Sequence, residues 1–157
     1  PFVFNDKKYV LVDTAGLRRQ SRREDHLEII SAFKSQESIR RSQIVLLVVD
    51  GNEGPSEQDA KILQQILEDH KGVIVVANKS DVAKENVESY RETFRAQVEK
   101  EFHFFTDVPI VFTSAKTGSG INELFKTIEH VTEKLNFKVS TSELNDFFFE
   151  KGIIDRF

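Results

Sequence analysis

The sequence predicts an open α/β sheet, mostly parallel, with helices on both faces and one antiparallel hairpin strand. Three observations carry that prediction. Short aliphatic runs alternate with stretches of helical period from Ile44 to Leu135, and such alternation builds an open sheet with helices on both faces. The runs Ile44 to Val49 and Val73 to Ala77 contain no polar residue, as strands buried on two faces require. At the start of the chain, two β-rich runs are separated only by turn-forming residues, the mark of a hairpin.

Phe2-Val3-Phe4 and Tyr9-Val10-Leu11-Val12 are the hairpin strands, with Asn5-Asp6-Lys7-Lys8 as the turn. After a polar stretch from Arg18 to Asp25, Leu27, Ile30, Ala32, Phe33 and Ile39 recur at roughly helical spacing, predicting an amphipathic helix up to Arg41. Ile44 to Val49 is a strand that ends in Asp50-Gly51. Ser56-Glu57-Gln58-Asp59 places capping residues ahead of Ile62, Leu63, Ile66 and Leu67, so a helix follows. Val73 to Ala77 is the next strand, Asn86 to Phe102 a charged helix, Pro109 to Thr113 a strand and Ile121 to Leu135 a helix. From Asn136 the rhythm breaks. Ser140-Thr141-Ser142-Glu143 has the form of a helix start, with Leu144, Phe147 and Phe148 on the apolar face of a further short helix.

The 157 residues have the size of one domain. No Cys is present, which excludes disulfides and thiolate metal sites and fits a reducing cytoplasm. A net charge of −4 argues against a protein that coats nucleic acid with its whole surface, while leaving room for one basic patch. No apolar run reaches the length of about 18 residues that a membrane span needs, and no charged-then-apolar leader is present, so a cytoplasmic protein without a membrane partner is expected. His26, His70, His103 and His130 lack metal-like spacing and read as surface or cap residues.

In an open α/β sheet, ligands bind outside the carboxyl ends of the strands, and three such loops carry chemistry. After Val12 comes Asp13-Thr14-Ala15-Gly16. A carboxylate there can hold the water shell of Mg²⁺, and Gly16 can bring its N–H close to a terminal phosphate. After Ala77 comes Asn78-Lys79-Ser80-Asp81, where an ionised Asp81 can accept two parallel hydrogen bonds from N1–H and the exocyclic amine of guanine, a pairing adenine cannot offer. After Val111-Phe112 comes Thr113-Ser114-Ala115-Lys116-Thr117-Gly118. Its backbone N–H groups can meet the guanine carbonyl oxygen, and the Lys116 stem can lie on the base plane. Taken singly, each motif has a plain structural reading, as a strand-to-loop turn or a helix cap. The order of all three, each at a separate strand end, is the stronger signal.

That ordered trio resembles the last three motifs of Ras-like P-loop GTPases, over nearly the whole chain. Leu17-Arg18-Arg19-Gln20 and Asp50-Gly51-Asn52-Glu53-Gly54 followed by Glu57-Gln58-Asp59 narrow the resemblance to the Der (EngA) family. Lys138-Val139-Ser140-Thr141-Ser142-Glu143-Leu144-Asn145 resembles the junction between the second GTPase domain of that family and its C-terminal KH-like domain. The resemblance implies a GTPase domain over 1–136 and the beginning of a KH-like domain over 137–157. It also implies a second GTPase domain elsewhere in the same chain, and a GTP/GDP switch that acts on the large ribosomal subunit and its RNA during assembly. The implied nucleotide-binding residues are Asp13, Thr14, Ala15, Gly16, Asn78, Lys79, Asp81, Ser114, Ala115 and Lys116, with Asp13 on Mg²⁺ through water. Ser80 departs from the family, which usually has Trp there at an outward-pointing position. Leu17 stands where Ras has its water-orienting Gln and cannot hydrogen-bond a water. The resemblance therefore implies a GTPase that relies on Mg²⁺, often on a monovalent cation such as K⁺, and on groups of the first switch, and no catalytic residue is named.

No Gly-x-x-x-x-Gly-Lys-[Ser/Thr] occurs, so the phosphate loop and its Lys are absent from the sequence. With Pro1 in place of an initiating Met, we expect the first strand and the phosphate loop to precede residue 1 in the intact protein. The resemblance places that strand between the ones ending at Asp13 and Asp50, whose edges would otherwise be unpaired. A scaffold domain of the same fold that has lost nucleotide binding, and a GTPase of the tRNA-modification type, are the rival readings. Arg18, Arg19, Arg22 and Arg23 fit either contact with RNA phosphates or a solvated loop. Phe147-Phe148-Phe149 fits either an interface to a following domain or an ordinary packing face.

Overall fold

The computed structural model describes residues 1–12, 36–83, 86–105 and 107–151. Strands β1 (Phe2–Phe4) and β2 (Lys7–Tyr9) pair antiparallel, Phe2 opposite Tyr9 and Phe4 opposite Lys7. Strands β3 (Ile44–Asp50), β4 (Gly72–Asn78) and β5 (Ile110–Phe112) form a parallel sheet in the order β3-β4-β5. Helix α1 (Glu57–Glu68) links β3 to β4, and α2 (Val87–Glu101) links β4 to β5. Helices α3 (Ile121–Asn136) and α4 (Thr141–Glu150) follow. Residues 36–41 are helical; the earlier part of the helix expected up to Arg41 lies outside the described residues.

The largest boundary difference from expectation is in the hairpin, while β3, β4 and β5 differ by one residue at one or both ends. The second hairpin strand is Lys7–Tyr9, not Tyr9–Val12. Asn5 (φ 49) and Asp6 (φ 61) both take the left-handed conformation, which makes a two-residue turn whose twist suits the strands. Pairing therefore resumes at once with Phe4 opposite Lys7. Val10 and Leu11 lie beyond the paired residues and are each 73% exposed.

The period-2 geometry of strands sorts the aliphatic runs onto two faces. Leu47, Val49, Val73, Val75 and Ala77 join Ile39, Leu63 and Ile66 of the helices before and after β3, and Phe94, Val98 and Phe102 at α2. Their neighbours Ile74, Val76 and Val111 face the other way, against Leu124 and Val131 of α3. The hairpin attaches to that second side through Phe125 of α3, whose ring stacks on Phe4 with centroids 3.9 Å apart and meets Tyr9 edge-on at 5.2 Å. Lys7 pairs with Glu129 at 3.1 Å beside it.

The helix start read at Ser56 is a full capping box. Ser56 Oγ accepts from the Asp59 amide, and the Asp59 carboxylate accepts from the Ser56 amide at 2.8 Å. Asp59 is only 2% exposed, so its carboxylate depends on these donors. Ser56→Ala should lower stability by about 1 kcal/mol, or more because Asp59 is buried; thermal unfolding measures it. The second predicted start, at Ser140, forms the same reciprocal box with Glu143. The Ser140 hydroxyl, and after it the Ser140 amide, donates to the Glu143 carboxylate and holds it below its ordinary pKa of 4.5.

Candidate functional site

The parallel register places the carboxyl ends of β3, β4 and β5 side by side, with Asp50 opposite Asn78 and Ala77 opposite Phe112. Asn78 joins the loops that leave them. Its carbonyl accepts from the Gly51 amide at 2.7 Å, and its side-chain Oδ1 accepts from the Ala115 amide at 3.0 Å. The Ser80 amide reaches across to the Thr113 carbonyl at 3.0 Å, and the Thr113 amide returns to the Ala77 carbonyl at 2.9 Å. Asp81, in a single 3₁₀ turn over Ser80–Val82, accepts from Ser114 Oγ at 2.7 Å. That same Ser114 oxygen accepts from the Thr117 amide at 3.2 Å. Asp81 also borders a cleft of about 300 Å³ lined by Val87, Arg91, Ser114, Thr117 and Ser119.

Two glycines allow this close approach. A side chain at Gly51 would collide with the Tyr90 hydroxyl and meet the Asn78 carbonyl oxygen at 2.7 Å. At Gly120, which has φ +79 and caps α3, it would strike the Phe112 carbonyl oxygen. The Tyr90 hydroxyl oxygen is buried with no hydrogen-bond partner among the described residues. Burial, and after it the charge on Asp50, pushes the Tyr90 phenol above its ordinary pKa of 10.0.

Of the residues singled out in the sequence, Asn78, Lys79, Asp81, Ser114, Ala115 and Lys116 meet at this one edge of the sheet. Asp13, Thr14, Ala15, Gly16, Leu17 and the arginines from 18 to 23 lie outside the described residues. The structure narrows one expectation. Ser114, Ala115, Thr117 and Gly118 all turn their amides onto protein acceptors, and Lys116 alone in that run has an amide without one among the described residues. Sequence reasoning missed Asp50, whose carboxylate accepts from Lys79 Nζ at 2.6 Å and from the Asn52 amide at 3.0 Å. The same strand-end rule that selected Asn78 would have selected it. No helix among the described residues is long and apolar enough to cross a membrane.

The parallel sheet β3-β4-β5, with its helices and the antiparallel strand pair, is the arrangement of the Ras-like P-loop GTPase fold. Residues 2–134 match the family model described as the Elongation factor Tu GTP binding domain, and the chain belongs to that family. Over 150 residues it is 37% identical to GTPase Der of Caldanaerobacter subterraneus subsp. tengcongensis, covering 96% of this chain and 34% of that protein. It is 41% identical to GTPase Der of Geobacter metallireducens over 150 residues, 95% of this chain and 34% of that one. The chain thus spans about a third of the length of the curated relatives it matches. Among solved structures, a bacterial selenocysteine-specific elongation factor is similar with a TM-score of 0.53 and 30% identity, over 66% of this chain and 18% of that one. Aquifex aeolicus Era bound to GDP and aluminium fluoride gives 0.53 and 30%, over 65% and 33%.

Proposed function

We propose that this chain reads the guanine base for a GTP-binding and GTP-hydrolysing switch, and that the intact protein acts in assembly of the large ribosomal subunit in the cytoplasm. The observation that carries the reading is the Asp81–Ser114 bond at 2.7 Å. It joins the Asn78–Asp81 loop to the Ser114–Lys116 loop. On this reading Asp81 accepts from the N1–H and amine of guanine, and the Lys116 amide donates to its carbonyl oxygen. Asn78 and Ala115 brace the two loops, and the Lys116 stem lies on the base.

Asp13, Thr14, Ala15 and Gly16 face the phosphates in this proposal, with Asp13 on the water shell of Mg²⁺, which would offset phosphate charge. K⁺ is the proposed monovalent cation. Residues 1–136 serve as the GTPase domain, completed by a preceding strand and phosphate loop, and 137–157 open a KH-like domain in a chain that holds a second GTPase domain. The similarity to proteins named GTPase Der supports this organisation, and the ribosomal role rests on the resemblance to the Der family. The test is calorimetric titration of the full-length protein with GDP and with ADP. Binding of GDP alone is expected; absence of GDP binding would replace the switch with a scaffold of the same fold.

A further inference from the structure

We infer that Asp50 is a positioning residue for the proposed guanine site, acting by anchoring the ammonium of Lys79 so that the Lys79 stem is held across the base-binding edge. The inference rests on the guanine-binding reading above and adds a residue from a third strand end to it.

The backbone of Lys79 is left-handed, φ 67 and ψ 30, a conformation that a side-chain-bearing residue keeps only where its surroundings hold it. Both flanks are fixed: the Asn78 carbonyl accepts from Gly51, and the Ser80 amide donates to Thr113. The side chain is then the remaining freedom, and it ends on Asp50 Oδ2 at 2.6 Å. Asp50 is itself set. Its side chain is 15% exposed, and its other oxygen accepts from the Asn52 amide. Lys79 remains 60% exposed although its ammonium is paired, so much of what it presents outward is the apolar four-carbon stem. A stem tied at both ends offers a flat apolar ledge next to Asn78 and Asp81, suited to the face of a purine.

A role in stability alone fits these facts poorly, because an ion pair with one partner so exposed contributes little to folding. Pre-ordering a long side chain at a ligand edge instead slows ligand release. The binding determinant is the ordered stem, and Asp50 acts through it.

The experiment follows release of a fluorescent N-methylanthraniloyl-GDP from the full-length protein by stopped flow, for wild type, Asp50→Asn, Asp50→Glu, Lys79→Ala and the Asp50→Asn/Lys79→Ala double variant. Asp50→Asn should release the nucleotide about three- to tenfold faster. Asp50→Glu, which still reaches the ammonium, should stay within about twofold of wild type, again on the cost of freeing one side chain. In the Lys79→Ala background the Asp50 substitution should add nothing, since coupled residues give non-additive effects. Unchanged release in Asp50→Asn, no rescue by Asp50→Glu, or additive effects in the cycle would overturn the inference while leaving guanine binding intact. Wild-type protein that fails to bind the probe would remove the guanine-site reading and this inference with it.

Discussion

Asp81→Asn is expected to cost the full-length protein about one to two decades of GDP affinity and to confer binding of xanthosine diphosphate. The carboxylate accepts two hydrogen bonds from guanine, N1–H and the 2-amino group, on the proposed pose. An amide can accept the first but meets the second donor with a donor. Losing a charge-assisted bond costs about 1.5–3 kcal/mol, which is the stated range in affinity. Xanthine carries oxygen in place of that amine, so the new NH₂ group has an acceptor. The fold should tolerate the change, because the amide oxygen can still accept from Ser114 Oγ as Oδ1 of Asp81 does. Calorimetric titration with both nucleotides decides it, and unchanged GDP affinity would remove Asp81 from the base-reading role.

Gly120→Ala should be among the most damaging single-methyl additions in the chain. With φ at +79, a Cβ is strained from the outset, at about 1–3 kcal/mol. It would also collide with the Phe112 carbonyl oxygen and lie 3.1 Å from Thr113 Cα. Both are backbone atoms of the strand and loop that carry Ser114, so neither yields cheaply, and overpacking adds about 1–3 kcal/mol. A combined loss of about 4 kcal/mol is a large share of the roughly 5–15 kcal/mol that holds a domain together. Gly118→Ala is the matched control: its φ is +76, but nothing lies within 4 Å of the added carbon. Thermal unfolding of the two variants should show a midpoint lowered by on the order of 10 °C for Gly120→Ala and much less for Gly118→Ala. Equal midpoints would show that the collision is relieved by movement of the loop.

What the sequence made legible was local. The aliphatic runs of β3 and β4 and the two Ser-initiated caps are written in neighbouring residues, and each appears where those residues place it. The strand-end rule was equally local, and Asn78, Asp81 and Ser114 come to one edge because a parallel sheet aligns its carboxyl ends. The hairpin boundary was misread because Lys7 and Lys8 look like turn residues, while the two left-handed residues at Asn5 and Asp6 complete the turn alone. The Lys79–Asp50 pair spans 29 positions, and only the registration of β3 with β4 brings it together. The same holds for Gly51, whose need to be glycine comes from Tyr90 and Asn78, residues on separate elements.

Asn78 has one further consequence. Through its carbonyl and its side chain it binds segments that follow β3 and β5, which are otherwise remote in the chain. Neither loop has to search for its place when a ligand arrives, since the entropy of arranging them is paid once, as the sheet forms. For the proposed nucleotide, the loops after β3 and β5 are then already joined through Asn78, and pre-organisation of this kind lowers the cost of binding.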